Sequence, residues 1–285
     1  MPNYLLPEED GLQMTEYGLW TAEKLDYLAR YINVFEIAMR QRWPVRYYVD
    51  LLAGPGKNRV EESGTIMLGS ALMALTTTYP FTGYFFTDLS EDNTQALHQR
   101  CSASPLHDQV TIRTGDCNFL VDDIVAQIRV HNQHSLNLAF LDPEGLELKW
   151  ETVAKLSAVR RMDLIINYPQ GGLNRYMPVA VAIEDQTTVD DFFGDREWRR
   201  MYAESLSKPG IPLHRQLMDH YKRKLQGLGY AEVVRDDETG DEPLIRNSQR
   251  HAPLYRLLFA SKNALGYKFW REITRRDIHG QGRLF

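Results

Sequence analysis

The sequence predicts an α/β protein with a parallel, doubly wound sheet. Three observations predict it. Five short β-rich runs alternate with helical patterns, which is the order that builds a parallel sheet. Each run stops at or just before a polar residue: Asp50, Asp88, Asp116, Asp142 and Asn167. The first run also breaks into two glycines one residue apart, in Asp50-Leu51-Leu52-Ala53-Gly54-Pro55-Gly56. In open sheets of this kind ligands bind outside the carboxyl ends of the strands. Five polar residues recurring at that edge therefore define a candidate site.

The elements follow in order. Residues 1–18 read as irregular. Leu19 to Met39 reads as a helix, with Leu25, Leu28, Ile32 and Phe35 at three- and four-residue spacings and Thr21 as its cap. Pro44 ends it, and the first strand starts at Val45. Lys57 to Thr65 is a polar insertion, and Gly69-Ser70 opens an apolar helix that Pro80 stops. Gly83–Asp88, Val110–Thr114, Leu136–Leu141 and Asp163–Asn167 are the next four strands. Between them Glu91–Arg100, Phe119–Val130 and Trp150–Val159 are helices. After the fifth strand, residues 171–212 read as a helical insertion or lid. Leu213–Leu228 is a helix closed by Gly229. Tyr230–Arg235 and Leu254–Ala260 then read as strands flanking an acidic turn.

Length and composition bound the rest. A chain of 285 residues suits one large domain or one domain with an added lobe. The division expected is an N-terminal segment and helix, 1–44, followed by the sheet domain, 45–285. Hydrophobic content of 43% and charged content of 25% are globular values. No run approaches the ~18 apolar residues that cross a bilayer, so no membrane association is expected. The polar, acidic start lacks the pattern of a secretory signal. Two cysteines, Cys101 and Cys117, make neither a disulfide framework nor a zinc site. The expectation is a cytoplasmic protein with reduced thiols and no metal. A net charge of −5 excludes a molecule that is basic all over. From Gln249 onward, however, eight Lys/Arg stand against Glu272 and Asp277, either a phosphate-facing patch or a solvated helix face and tail.

A Gly-x-Gly turn lets backbone approach a ligand closely. The dinucleotide fingerprint does not fit, because Arg59 stands three positions after Gly56 where Gly or Ala is needed. That spacing counts against a nicotinamide enzyme. Asp-x-x-Ala-Gly-x-Gly resembles instead the first motif of S-adenosylmethionine-dependent methyltransferases. The resemblance implies a Rossmann-like methyltransferase sheet, mostly parallel, which the final strand–turn–strand unit would complete with an antiparallel last strand. The resemblance places Asp50, Ala53, Gly54 and Gly56 at the amino-acid and sulfonium end of that cofactor. Asp88 would accept from the ribose hydroxyls. Asp116, with Cys117 or Phe119 as apolar shelf, would take the adenine. Asp88 and Asp116 would also serve as helix caps, and the two roles are compatible. Asp142-Pro143-Glu144-Gly145 stands where amino-methyltransferases carry Asp-Pro-Pro-Tyr, with the second proline and the aromatic replaced. Asp142 and Glu144 are the candidate catalytic pair. Pro143, Asn167 and Tyr168 are the candidate acceptor-binding residues. The plain alternative for Asp142 is a strand-end turn.

The chain as a whole resembles the three-Cys-motif partner protein family. The resemblance rests on Lys24-Leu25 and Tyr31, Tyr48 to Gly56, Gly69-Ser70-Ala71-Leu72, Thr87-Asp88, Gly115-Asp116-Cys117-Asn118, Phe140 to Gly145 and Leu254 to Ser261. It covers residues 20 to 275, thinly across 171–250. Leu52 replaces a usual Phe, and Glu144 a common aromatic. The resemblance implies a methyltransferase-like fold, S-adenosylmethionine as cofactor, and a partner protein carrying a three-cysteine motif of radical-S-adenosylmethionine type. Two functions stay open at this point: methyl transfer, with nucleic acid as the favoured acceptor, and a non-catalytic scaffold for that partner.

Overall fold

The computed structural model describes residues 3–207, 210–233 and 242–275. Ten strands and ten α-helices are formed among them. The first half holds β1 (Thr15–Tyr17), α1 (Trp20–Met39), β2 (Val45–Asp50), β3 (Lys57–Val60), β4 (Ile66–Leu68), α2 (Ser70–Leu75), β5 (Gly83–Asp88), α3 (Glu91–Cys101), β6 (Val110–Thr114) and α4 (Cys117–Arg129). The second half holds β7 (Ser135–Leu141), α5 (Trp150–Ser157), β8 (Met162–Tyr168), α6 (Gln170–Ala180), α7 (Thr188–Phe193), α8 (Glu197–Ser207), α9 (Leu213–Gly227), β9 (Leu244–Arg246), β10 (Pro253–Ala260) and α10 (Ala264–Thr274).

Seven strands form the main sheet in the order β6-β5-β2-β7-β8-β10-β9. β2, β5, β6, β7 and β8 run parallel. β10 is antiparallel to β8, and β9 to β10. The chain order reverses beside β2, between β5 on one side and β7 on the other, so the glycine loop after β2 sits at the switch point. β7 and β8 are buried along almost their whole length, as expected of strands covered on both faces.

The faces are fixed by pairing. Ile165 of β8 lies opposite Phe259 of β10. Phe259 packs on Tyr31 of α1 and stacks on Trp270 of α10. Tyr168, three residues on from Ile165, points to the other face, where it meets Phe192 of α7 and Tyr221 of α9. The helical insertion after the fifth parallel strand is α6 to α8. Its buried Asp190 holds Arg199, the Trp198 indole and the Thr187 backbone.

Three expectations need correction. Residues 3–18 are not wholly irregular: β1 pairs parallel with β3, which pairs antiparallel with β4, making a second small sheet. The expected strand from Tyr230 is instead a 3₁₀ turn at Ala231–Val233, and the edge strand is β9. Gly229 turns the chain with φ +96°, and the Tyr230 hydroxyl donates to the Met162 carbonyl, so Tyr230 anchors from the side rather than joining the ladder. The rest of that expected strand, and the acidic turn as far as Asp241, lie outside the described residues. Thr21 does not cap α1; the helix starts after Leu19 with no side-chain cap.

Candidate functional site

Two cavities open at the carboxyl edge of the parallel strands, and one turn lines both. The first, of about 340 Å³, is bounded by Leu52, Leu89, Asp116, Cys117, Leu146 and Glu147. The second, of about 280 Å³, is bounded by Tyr17, Lys24, Asp142, Glu144, Asn167 and Tyr255. The turn from Asp142 to Glu147 runs between them. It is held by the Glu147 carboxylate, which accepts the backbone N–H groups of Glu144 and Gly145.

The glycine loop divides its labour. Gly54 has φ +60°, and a Cβ there would meet only the Thr15 hydroxyl at 3.8 Å, so its surroundings are open. Gly56 has φ +93° and faces inward; a Cβ would lie 2.8 Å from Leu97. The missing side chain of Gly56 is therefore required by packing against Leu97 and Leu72. Ala53 is buried as well. Asp50 is sealed beneath the loop, where Oδ1 accepts the Leu52 N–H and Oδ2 has no hydrogen-bond partner. Burial pushes its carboxyl up to about 7 against the pull of the Ser70 hydroxyl, with the Asp142 and Asp88 charges adding to the rise.

Asp88 is committed to the loop and to the following helix together. Oδ2 accepts the Gly54 N–H at 2.9 Å, and Oδ1 accepts the Ser90 N–H and the Asn93 amide. Each carboxylate oxygen can accept twice, so Asp88 keeps room for a further donor. Asp116 caps α4: Oδ1 takes both the backbone and the side-chain N–H of Asn118 at 2.8 Å. Cys117 is 5% exposed, and burial pushes its thiol up to about 12, so it serves as apolar wall and not as a thiolate. An open Gly54, an acceptor with spare capacity at Asp88, and Asp116 beside an apolar wall form an acceptor set that fits an adenosyl cofactor.

The second cavity holds an arrangement the sequence did not suggest. Lys24 Nζ lies 2.5 Å from Asp142 Oδ2 and faces the rings of Tyr17 and Tyr255. The Asn167 amide donates to Asp142 Oδ1 at 2.8 Å and approaches the Pro143 carbonyl at 3.4 Å. Both carboxylate oxygens are thus engaged. Asn167 Oδ1 is buried without a partner. The Tyr17 hydroxyl donates to Glu144 Oε1 at 2.6 Å, which ties β1 to the turn. Burial, with Asp142 and Glu144 close by, raises the Tyr17 phenol far above its ordinary value.

Tyr168 is not part of this cavity. Asn167 faces α1, and strand alternation sends Tyr168 to the opposite face, into the α7–α9 aromatic cluster. The rings at the cavity are Tyr17, Trp20, Tyr176 and Tyr255. Lys24 carried a readable signal, since it lies on the apolar stripe of α1, four residues before Leu28. Tyr17 carried none, because β1 exists only through its pairing with β3.

The N-terminal segment is pinned beside the glycine loop by a buried ion cluster. Asp10 accepts from Arg100 at 2.7 Å and lies 2.9 Å from Lys57, with all three side chains fully buried. Arg100 also donates to the Pro55 carbonyl inside the loop and to the Gln13 carbonyl. The basic C-terminal run does not make one face. Arg256 is bonded to Gln170, Lys262 to the Ser157 carbonyl, and Arg275 to Glu272; Arg276 and Arg283 lie outside the described residues. No helix among the described residues is long and apolar enough to cross a membrane. No group of three or more His, Cys, Asp or Glu among them is arranged to hold a metal ion.

The strand order, the antiparallel β10 and the glycine loop at the switch point define the class: a methyltransferase-like Rossmann fold. No family model matches the chain, and no curated protein matches it. Solved structures do match it at a distance. A Legionella pneumophila protein of the DUF519 family is 11% identical, over 59% of this chain and 75% of that one, with a TM-score of 0.40. A geranyl diphosphate methyltransferase, in complex with geranyl diphosphate and sinefungin, is 13% identical over 89% of this chain and 91% of that one, with a TM-score of 0.38. At such scores the topology traced above carries the class by itself.

Proposed function

We propose that the protein binds S-adenosylmethionine at the glycine loop and acts as a methyltransferase-type enzyme on an acceptor held beside Asp142. The observation that carries this reading is the paired cavities on one turn, Asp142 to Glu147, at the switch point of the sheet. Gly54, Asp88, Asp116 and the Cys117 wall would hold the cofactor, which supplies an electrophilic methyl group on a sulfonium. The chain's own contribution is positioning. Tyr17, Lys24 and Tyr255 would orient the acceptor, and Asp142 would receive its donor hydrogen. Each Asp142 oxygen has one partner, Lys24 or Asn167, and can accept a second, so the acceptor's hydrogen can reach it with both kept in place. Nucleic acid is the favoured acceptor class, on the Asp-Pro turn and the basic C-terminal run, of which Arg256, Lys262 and Arg275 are bonded within the chain.

Thermal denaturation with S-adenosylmethionine and S-adenosylhomocysteine tests the cofactor. A ligand at a hundredfold excess over its dissociation constant stabilises by about 2.7 kcal/mol, and absence of any shift with either compound overturns the reading.

A second reading is favoured by one specific observation: both oxygens of Asp142 are engaged, by Lys24 and by Asn167. A carboxylate that ties α1 through Lys24 to β8 through Asn167 has structural work to do, and that suits a scaffold. On that reading the fold is a non-catalytic partner for a three-cysteine-motif protein of radical-S-adenosylmethionine type. Co-purification with that partner, together with no methyl transfer to RNA, DNA or protein, would support it.

A further inference from the structure

A third cavity, of about 310 Å³, lies at the opposite edge of the sheet from the two described above. Leu136, near the start of β7, and Asp163, near the start of β8, are on its wall. Leu136 and Asp142 are six residues apart along extended chain, so this cavity is roughly 20 Å from the candidate acceptor site. Nothing in the proposed function uses it.

Three arginines converge on it: Arg42 after α1, and Arg160 and Arg161 in the turn before β8. None is within ion-pairing distance of a carboxylate among the described residues. That sets them apart from Arg30, Arg46, Arg100, Arg113 and Arg199, which all face one. Arg160 donates to the Gln133 side chain through one nitrogen. Arg161 Cζ sits over the Trp43 ring, 4.3 Å from its centre, and only Nη1 reaches backbone carbonyls, at 3.3 Å. The contact with Trp43 holds that guanidinium in place with donors to spare. Burial, with Arg160 beside it, lowers the Arg161 pKa, the mark of a cation short of counter-charge. Lys262 is not a fourth member, because its ammonium is turned to the Ser157 and Val159 carbonyls.

The rest of the wall is of a different kind. Phe35, Leu136 and Phe269 give it an apolar side. Asp163, 7% exposed, stands on the wall with Oδ2 accepting from the Tyr31 hydroxyl at 2.8 Å. A carboxylate has about four acceptor positions, so it can take a further donor. An anion at one end, an apolar body and a hydrogen-bond donor at the other describe a single kind of molecule.

We propose that this cavity is a second ligand site, separate from the cofactor site, for a small organic anion of the nucleoside monophosphate class. The phosphate sits among Arg42, Arg160 and Arg161, the flat ring lies against Phe269 and Leu136, and a ring amino group donates to Asp163.

Isothermal titration calorimetry with adenosine monophosphate, adenosine and inorganic phosphate tests it on the full chain. The nucleotide is expected to bind at least tenfold more tightly than either fragment, and to bind equally well when S-adenosylhomocysteine is saturating. Arg42→Glu should weaken it at least fivefold; Arg42 is exposed and makes no ion pair among the described residues, so this variant keeps its fold. The double variant Arg160→Glu/Arg161→Glu should weaken it more than tenfold, with circular dichroism confirming a native melt. The site is overturned by no nucleotide binding up to millimolar concentration. It is equally overturned by affinity unchanged in Arg42→Glu, by adenosine binding as tightly as the nucleotide, or by displacement with S-adenosylhomocysteine.

Discussion

The Lys24 ammonium and the Asp142 carboxylate meet at 2.5 Å, with side chains only 7% and 16% exposed. This ion pair joins the first helix to the turn that borders both cavities. Asn167 takes the other oxygen of the same carboxylate, so Asp142 is the hub of the acceptor cavity. Breaking a buried pair from one side leaves a charge uncompensated, at a cost of about 3–5 kcal/mol. Lys24→Met should therefore destabilise markedly, near the lower end of that range because Asp142 keeps some water. The double variant Lys24→Met/Asp142→Asn should recover most of the loss. Urea denaturation of the unaltered protein, Lys24→Met, Asp142→Asn and the double variant measures it, and equal stability of Lys24→Met and the double variant would refute the coupling.

Asp142 and Asp88 should separate by function. Asp142→Ala is expected to abolish methyl transfer while leaving S-adenosylhomocysteine affinity nearly intact. Asp88→Ala should weaken that ligand at least tenfold, because it removes the acceptor aimed at the cofactor and frees the Gly54 N–H. Titration calorimetry on both variants decides. Loss of ligand affinity in Asp142→Ala equal to its loss of activity would assign Asp142 to structure or to the cofactor.

The two glycines of the loop should respond differently to alanine. Gly56→Ala adds a Cβ 2.8 Å from Leu97 at φ +93°, and overpacking of that kind costs about 1–3 kcal/mol. Gly54→Ala meets open space, so only the left-handed backbone resists, at about 1–2 kcal/mol. Gly54→Ala should therefore cost ligand affinity more than stability, and Gly56→Ala the reverse. Thermal melts with and without S-adenosylhomocysteine distinguish them.

Stability should fall between about pH 4 and pH 7. Burial pushes Asp50 and Glu36 up to about 7 and Asp163 up to about 6 in the folded protein. A raised carboxyl pKa means the folded state binds protons more tightly than the unfolded chain across that window. Raising pH then removes stability, up to about 1.4 kcal/mol per pH unit for one group. Asp50→Asn should flatten the slope between pH 5 and 7. Melting temperatures at three pH values measure it, and an unchanged slope would mean Asp50 does not titrate there.

Asp10, Arg100 and Lys57 bind the N-terminal segment to the glycine loop with no exposure to water. Arg100→Met should strand the Asp10 charge beside Lys57 alone and release the Pro55 and Gln13 carbonyls. Limited proteolysis should then cut near residues 10–14 well before the sheet domain is attacked. Protection equal to that of the unaltered protein would show that β1 pairing holds the segment by itself.

Much of this protein is local and therefore legible in its sequence. The alternation of strand and helix, the glycine loop after Asp50 and the polar strand ends at Asp88, Asp116, Asp142 and Asn167 follow from period and spacing, because a strand end and a turn are decided by neighbouring residues. The tertiary structure decided what those residues face. Gly56 packs on Leu97 and Asp50 is sealed beneath the loop, which no spacing reveals. Strand alternation turns Tyr168 away from its neighbour Asn167, and because β8 is buried on both faces its run of apolar residues does not say which face meets the cavity. Tyr17 reaches Glu144 across 127 residues and Lys24 reaches Asp142 across 118, through a strand formed only by pairing and a helix placed only by packing. Contacts between such distant segments depend on how the sheet is assembled, and local sequence does not carry them.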